Sequence, residues 1–240
     1  MIKRIFWVDV LRTLAIINMI IYHACWDAVY FGIKLPFLNS LKGVIWERYI
    51  CISFIFLSGF CFYMSKKPIL RGLIISLCGI AVSLITKIFT PSEAIIFGVL
   101  TFIGAAQIIF ALCKKLLLKI KPVPAFLLCI VLFAFTYDIG RGYILWVKLP
   151  QTLYQNLITA FLGFPPRGFY SSDYFPLLPW IFIFLAGFFF QGIFKFIKKD
   201  VKSNIFTLFF INISKSSLYI YMIHQPIIYG GFYIWHKLMG

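Results

Sequence analysis

Apolar residues gather along the chain into seven long runs, separated by short basic or Gly/Pro-containing stretches. The runs predict spanning helices at about 5–25, 44–64, 69–89, 95–113, 123–137, 175–194 and 216–237, each close to the roughly 20 residues that cross a hydrocarbon core. Local punctuation supports the breaks. The turn SKKPILR divides the second run from the third, CKKLLLKIKP closes the fourth, and Pro122 and Pro124 open the fifth. Residues 138–174 depart from the pattern. They are polar and contain Gly and Pro, and they predict loop with a short interfacial or re-entrant helix at about 150–163. A shorter amphipathic piece, about 203–213, precedes the last run.

Composition narrows the class. Of 240 residues, 62% are hydrophobic and 12% charged, which lies outside the range of soluble globular chains. The expectation is an all-α, polytopic integral membrane bundle in the lipid bilayer, about seven spans with one short extra helix. It forms a single domain over 1–240, because no polar stretch is long enough to fold alone. The net charge of +16 does not point to nucleic acid, since no soluble basic surface interleaved with aromatics exists to carry such binding. Loop bias accounts for it instead. With the N-terminus in the cytoplasm and seven crossings, 14 of the 23 Lys and Arg fall in cytoplasmic stretches (3–4, 66–71, 114–121 and 195–215). Eight fall outside, and Arg12 lies within the first helix. The reading is a multi-pass protein of the cell membrane with its C-terminus outside. No cleavable signal peptide is evident: the first run is too long and is broken by Asp9 and Arg12. The six cysteines sit in apolar runs without metal-ligand spacing, so they read as buried reduced thiols and no metal is expected.

The first run, FWVDVLRTLAIINMIIYHACWD, carries Asp9, Arg12, His23 and Asp27. Ionisable groups are costly in a spanning helix and usually face a cavity. At ~100° per residue, Arg12 and His23 lie about 20° apart around the helix and about 16 Å apart along it. Asp9 is spaced to pair with Arg12, and Asp27 to hold an imidazole N–H of His23. The alternative is purely structural, an Asp–Arg pair and a satisfied interfacial histidine. In the chosen orientation Arg12 lies toward the cytoplasm, where a fixed cation suits a phosphate or a polarised carbonyl. His23 and Asp27 lie toward the outer end, where a histidine suits removal of a proton from a hydroxyl or amine.

Other residues are more evenly balanced. His224 lies near the middle of the last run, two residues before Pro226. It either bonds carbonyls loosened by that proline or lines the same cavity as His23, with Gln225 supplying an amide contact. Asp173, in SSDYFPLLPW, either caps a helix start or sits at the outer mouth of the cavity. Thr101 and Gln107 are flanked by Gly98 and Gly104, where close helix packing is the simpler reading. Glu47 and Arg48 read as a solvated pair.

Taken together, VDVLRTLAIINMIIYHACWD, SFIFLSGF, FGVLTFIGAAQ, DYFPLLPW and SSLYIYMIHQP resemble bacterial heparan-α-glucosaminide N-acetyltransferase-like membrane proteins over nearly the whole chain. The Arg12–His23 spacing also resembles the broader acyltransferase-3 group, which O-acetylates surface polysaccharides. The resemblance implies transfer of an acyl group, usually acetyl, from cytoplasmic acyl-CoA to an outer glycan or amino-sugar acceptor. It makes Arg12 and His23 central, with Asp9, Asp27, Asp173 and His224 in the pocket; joined with the spacing above, the expected catalytic set is His23, Asp27 and Arg12, and the expected substrate-binding set Asp9, Asp173, His224, Gln225 and Thr101. By analogy, a homodimer is implied. Similar sequences carry His or Gln where this chain has Thr101, a departure that bears on substrate choice. Two other readings stand beside it: a transporter or flippase for a small anionic or lipid-linked solute, and a membrane scaffold. The single His/Asp cluster and the lack of two-fold repeats favour the enzyme.

Overall fold

The computed structural model describes residues 2–194, 196 and 199–239. It is a helical membrane protein. Among the described residues, six helices are long and apolar enough to cross a bilayer: α1 (Phe6–Tyr30), α2 (Leu41–Tyr63), α3 (Pro68–Phe89), α4 (Val99–Leu117), α5 (Pro122–Thr136) and α7 (Leu177–Phe194). α5 reaches that length together with the 3-10 turn that carries it on to Arg141. The seventh candidate is a bent pair. α8 (Ile205–Lys215) and α9 (Ser217–Met239) meet at 78° and pass the same test only together. The expected short helix is α6, and it is shorter than predicted, Leu157–Leu162. Asn156 starts it: its side chain accepts from the backbone N–H of Ile158 and Thr159, and Thr159 answers with its hydroxyl. Upstream residues 151–153 form only a 3-10 turn after Pro150.

Two compact units emerge, Met1–Phe54 with Phe196–Gly240, and Ile55–Lys195. In the first, α1 is longer than its apolar run suggests. No Gly or Pro interrupts it until Gly32, whose left-handed backbone (φ +95°) ends the helix while Phe31 N–H returns to the carbonyl of Asp27. The extension keeps Asp27 helical and on the face of His23. A core of Met19, Tyr22, Leu38 and Ile50 seats α1 against the first half of α2, where Trp46 Nε1 donates to Asn18. Two short strands appear that carry too few residues to show an alternating pattern. β1 (Ile2–Arg4) pairs antiparallel with β4 (Lys199–Val201), with Arg4 opposite Lys199. They flank the beginnings of α1 and α8.

The second unit is built on aromatic packing, with Phe60, Phe62, Phe102, Phe184 and Phe188 almost wholly buried. α2 and α7 approach until their backbones touch. A Cβ on Gly59 would overlap the carbonyl of Phe184, and one on Gly187 the carbonyl of Phe56. Lys114, near the end of α4, donates to the carbonyls of Phe62 and Ser65 at 2.9 and 2.8 Å. It thereby adds a charged donor to carbonyls at and just beyond the end of α2. The loop 138–176 forms a small hairpin, β2 (Tyr143–Ile144) with β3 (Val147–Lys148), and is tied by phenols: Tyr154 donates to Ile139 and Tyr174 to Ala160. All six cysteines keep their thiols rather than forming disulfides. Cys129 is buried, and the other five are partly exposed, where the apolar runs predict burial.

Candidate active site

Six of the eight residues singled out on the sequence belong to the first unit: Asp9, Arg12, His23 and Asp27 on α1, His224 and Gln225 on α9. The bend between α8 and α9 lets them pack on α1 in succession. α8 covers the level of Arg12. Thr13 donates its hydroxyl to the Phe210 carbonyl at 3.1 Å, and Arg12 Nη1 reaches Ser214 Oγ at 3.5 Å. α9 covers the level of His23 and Asp27.

Two pairings that helical spacing predicts within α1 are replaced by partners from elsewhere. Spacing pairs Asp9 with Arg12. In the structure Asp9 is 2% exposed, and both of its oxygens accept from Arg4, at 2.7 Å from Nε and 2.5 Å from Nη2. β1 brings a planar guanidinium fork to the carboxylate from outside the helix. That fork satisfies two oxygens at once, which is the stronger arrangement. Spacing likewise pairs Asp27 with His23. The Asp27 oxygens instead accept from Gln225 Nε2 at 2.9 and 3.2 Å. The facing helix supplies an amide whose hydrogens suit a buried carboxylate.

His23 faces His224. Their ring centroids are 5.0 Å apart, with planes inclined at 57°. The second ring is fixed from its far side. His224 Nδ1 lies 2.7 Å from the Tyr221 carbonyl, and a carbonyl only accepts, so Nδ1 carries the proton. Nε2 is then a lone-pair acceptor, and it is buried without a hydrogen-bond partner among the described residues; Gln225 Oε1 is in the same position. His224 thus bonds a carbonyl one turn back in its own helix, not that of Met222, which Pro226 deprives of its N–H, and it also stands against the His23 ring. His23 is half-buried and makes no hydrogen bond to the chain among the described residues.

The other two residues belong to the second unit. Asp173 Oδ2 accepts from the backbone N–H of Val99, the first residue of α4, at 3.3 Å. Thr101 lies where α3 and α4 cross, and a Cβ on Gly79 would meet its backbone N and Oγ1 at 2.7 Å. Sequence reasoning missed Arg4, Ser214 and Tyr221. Only Tyr221, three residues before His224, stands at a spacing that a helix rule could flag.

A family model described as heparan-alpha-glucosaminide N-acetyltransferase, catalytic, matches residues 4–226. The chain belongs to this family. No curated protein and no solved structure matches it. The match begins at Arg4, the partner of Asp9, and ends at Pro226, directly after His224 and Gln225. The heparan-alpha-glucosaminide N-acetyltransferase catalytic family is acetyl-CoA-dependent, so the protein is a membrane-embedded acetyltransferase.

Proposed function

We propose that the protein moves an acetyl group from cytoplasmic acetyl-CoA to an amino sugar or other glycan group on the outer side of the cell membrane, the whole chain serving as one acyltransferase domain. The observation that carries this reading is the contact between the ring of His23, on the helix that also bears Arg12, and the ring of His224 on α9, with centroids 5.0 Å apart. The Lys/Arg bias of the loops supports the orientation.

In this reading Arg12 meets the donor, where a guanidinium suits phosphate or the developing charge on a thioester oxygen. His23 meets the reacting carbonyl, and an imidazole of the His23–His224 pair takes a proton from the acceptor. Asp27 acts from its bond to Gln225, as part of the wall beside His23. Asp9, held by Arg4, fixes the start of α1.

The test is acetyl transfer to glucosamine by the purified protein beside His23→Ala. Loss of transfer is expected, and unchanged transfer removes His23 from the chemistry. Thermal stabilisation by acetyl-CoA, compared with free acetate, checks the donor. No CoA-specific shift argues against the reading as a whole.

A further inference from the structure

The α1–α9 contact contains more acceptors than donors. Asp27 offers two carboxylate oxygens and receives one amide from Gln225. Gln225 Oε1 and His224 Nε2 are buried and unpartnered among the described residues. Buried polar atoms are rarely left so, and an acceptor-rich patch calls for a ligand that brings hydrogens. An amine does so.

The tautomer decides which ring can take a proton. The Tyr221 carbonyl holds the hydrogen of His224 on Nδ1 and so keeps the Nε2 lone pair available, on a ring that stands beside His23. No hydrogen bond from the described residues fixes the tautomer of His23. Resting on the acetyltransferase reading above, we propose that His224 Nε2 is the proton acceptor of the reaction, with Gln225 Oε1 receiving a second N–H of the acceptor amine. His23 is left to face the thioester. The amine nitrogen attacks the acetyl carbonyl, a C–N bond forms and the C–S bond breaks. The amine proton passes to His224 Nε2 and then to the departing thiolate, giving the amide and free CoA thiol with His224 neutral again.

The experiment uses the full chain in detergent, with glucosamine and acetyl-CoA as probes. His224→Asn places an amide N–H where Nδ1–H stands, so the bond to Tyr221 survives while the Nε2 lone pair is lost. We expect kcat to fall about 10²–10⁴-fold, the usual contribution of a positioned base. The acidic limb of the pH–rate profile should disappear, and stabilisation by acetyl-CoA should be retained. His224→Ala should regain activity when imidazole is supplied, which guards against a mere folding defect. If His224→Asn keeps kcat within a few-fold and the same acidic limb, the inference is overturned while the acetyltransferase reading stands. If the wild type neither transfers acetyl nor is stabilised by acetyl-CoA, the reading itself fails and the inference with it.

Discussion

Gln225 donates its amide to both oxygens of Asp27, joining α9 to α1 across 198 positions of sequence. Asp27 is 7% exposed, so the bond answers for a carboxylate that water does not reach freely. Gln225→Leu keeps the bulk and removes the donor. It is expected to lower stability by about 1.5–3 kcal/mol, the range for a hydrogen bond to a charged group. Gln225→Glu should do worse, since it sets two carboxylates together. Thermal unfolding in detergent reads both.

Arg4 and Asp9 predict that two substitutions do less harm than one. Removing Arg4 alone strands a carboxylate that is 2% exposed, whereas removing both partners leaves no buried carboxylate behind. Arg4→Ala should therefore be more damaging than the double variant Arg4→Ala/Asp9→Ala. A double-mutant cycle on unfolding midpoints checks this; additive effects would show that the two side chains do not depend on each other.

The seven apolar runs were legible because a bilayer imposes length and hydropathy on whatever crosses it. The residues of the α1 face were legible for the same reason, since Asp9, Arg12, His23 and Asp27 stand out in an apolar run. Their partners were not. Arg4 reaches Asp9 from a three-residue strand, at an offset of five that no helix rule selects. Gln225 reaches Asp27 through tertiary packing, which periodicity does not encode. Helix ends shifted where termination depended on one residue: α1 runs on toward Gly32, and α6 waits for the Asn156 cap.

Gly187 and Gly230 should respond oppositely to the same change. A methyl at Gly187 would overlap the Phe56 carbonyl, whereas one at Gly230 meets nothing within 4 Å. Gly187→Ala should cost about 1–3 kcal/mol or more, because a backbone carbonyl cannot turn aside as a side chain would. Gly230→Ala should be neutral or stabilise by about 0.5–1 kcal/mol, the gain of alanine over glycine within a helix. Paired melting curves decide both.

Tyr174 makes the 138–176 loop sensitive to alkali. Its hydroxyl donates to the Ala160 carbonyl at 2.5 Å, and burial, with Tyr154 nearby, pushes its pKa above the ordinary 10.0. Tyr154 is pushed the same way by burial while it donates to Ile139. The phenol must keep its proton to donate, so the folded state binds that proton more tightly than the unfolded chain does. The contribution is therefore fully present below about pH 10 and declines as pH rises from there toward the folded value. Tyr174→Phe should lower stability by about 1 kcal/mol at neutral pH. It should also flatten the alkaline decline. Unfolding followed against pH, with tyrosinate absorbance recorded alongside, checks the pair of effects. An alkaline decline of the same size in Tyr174→Phe would show that other groups govern it.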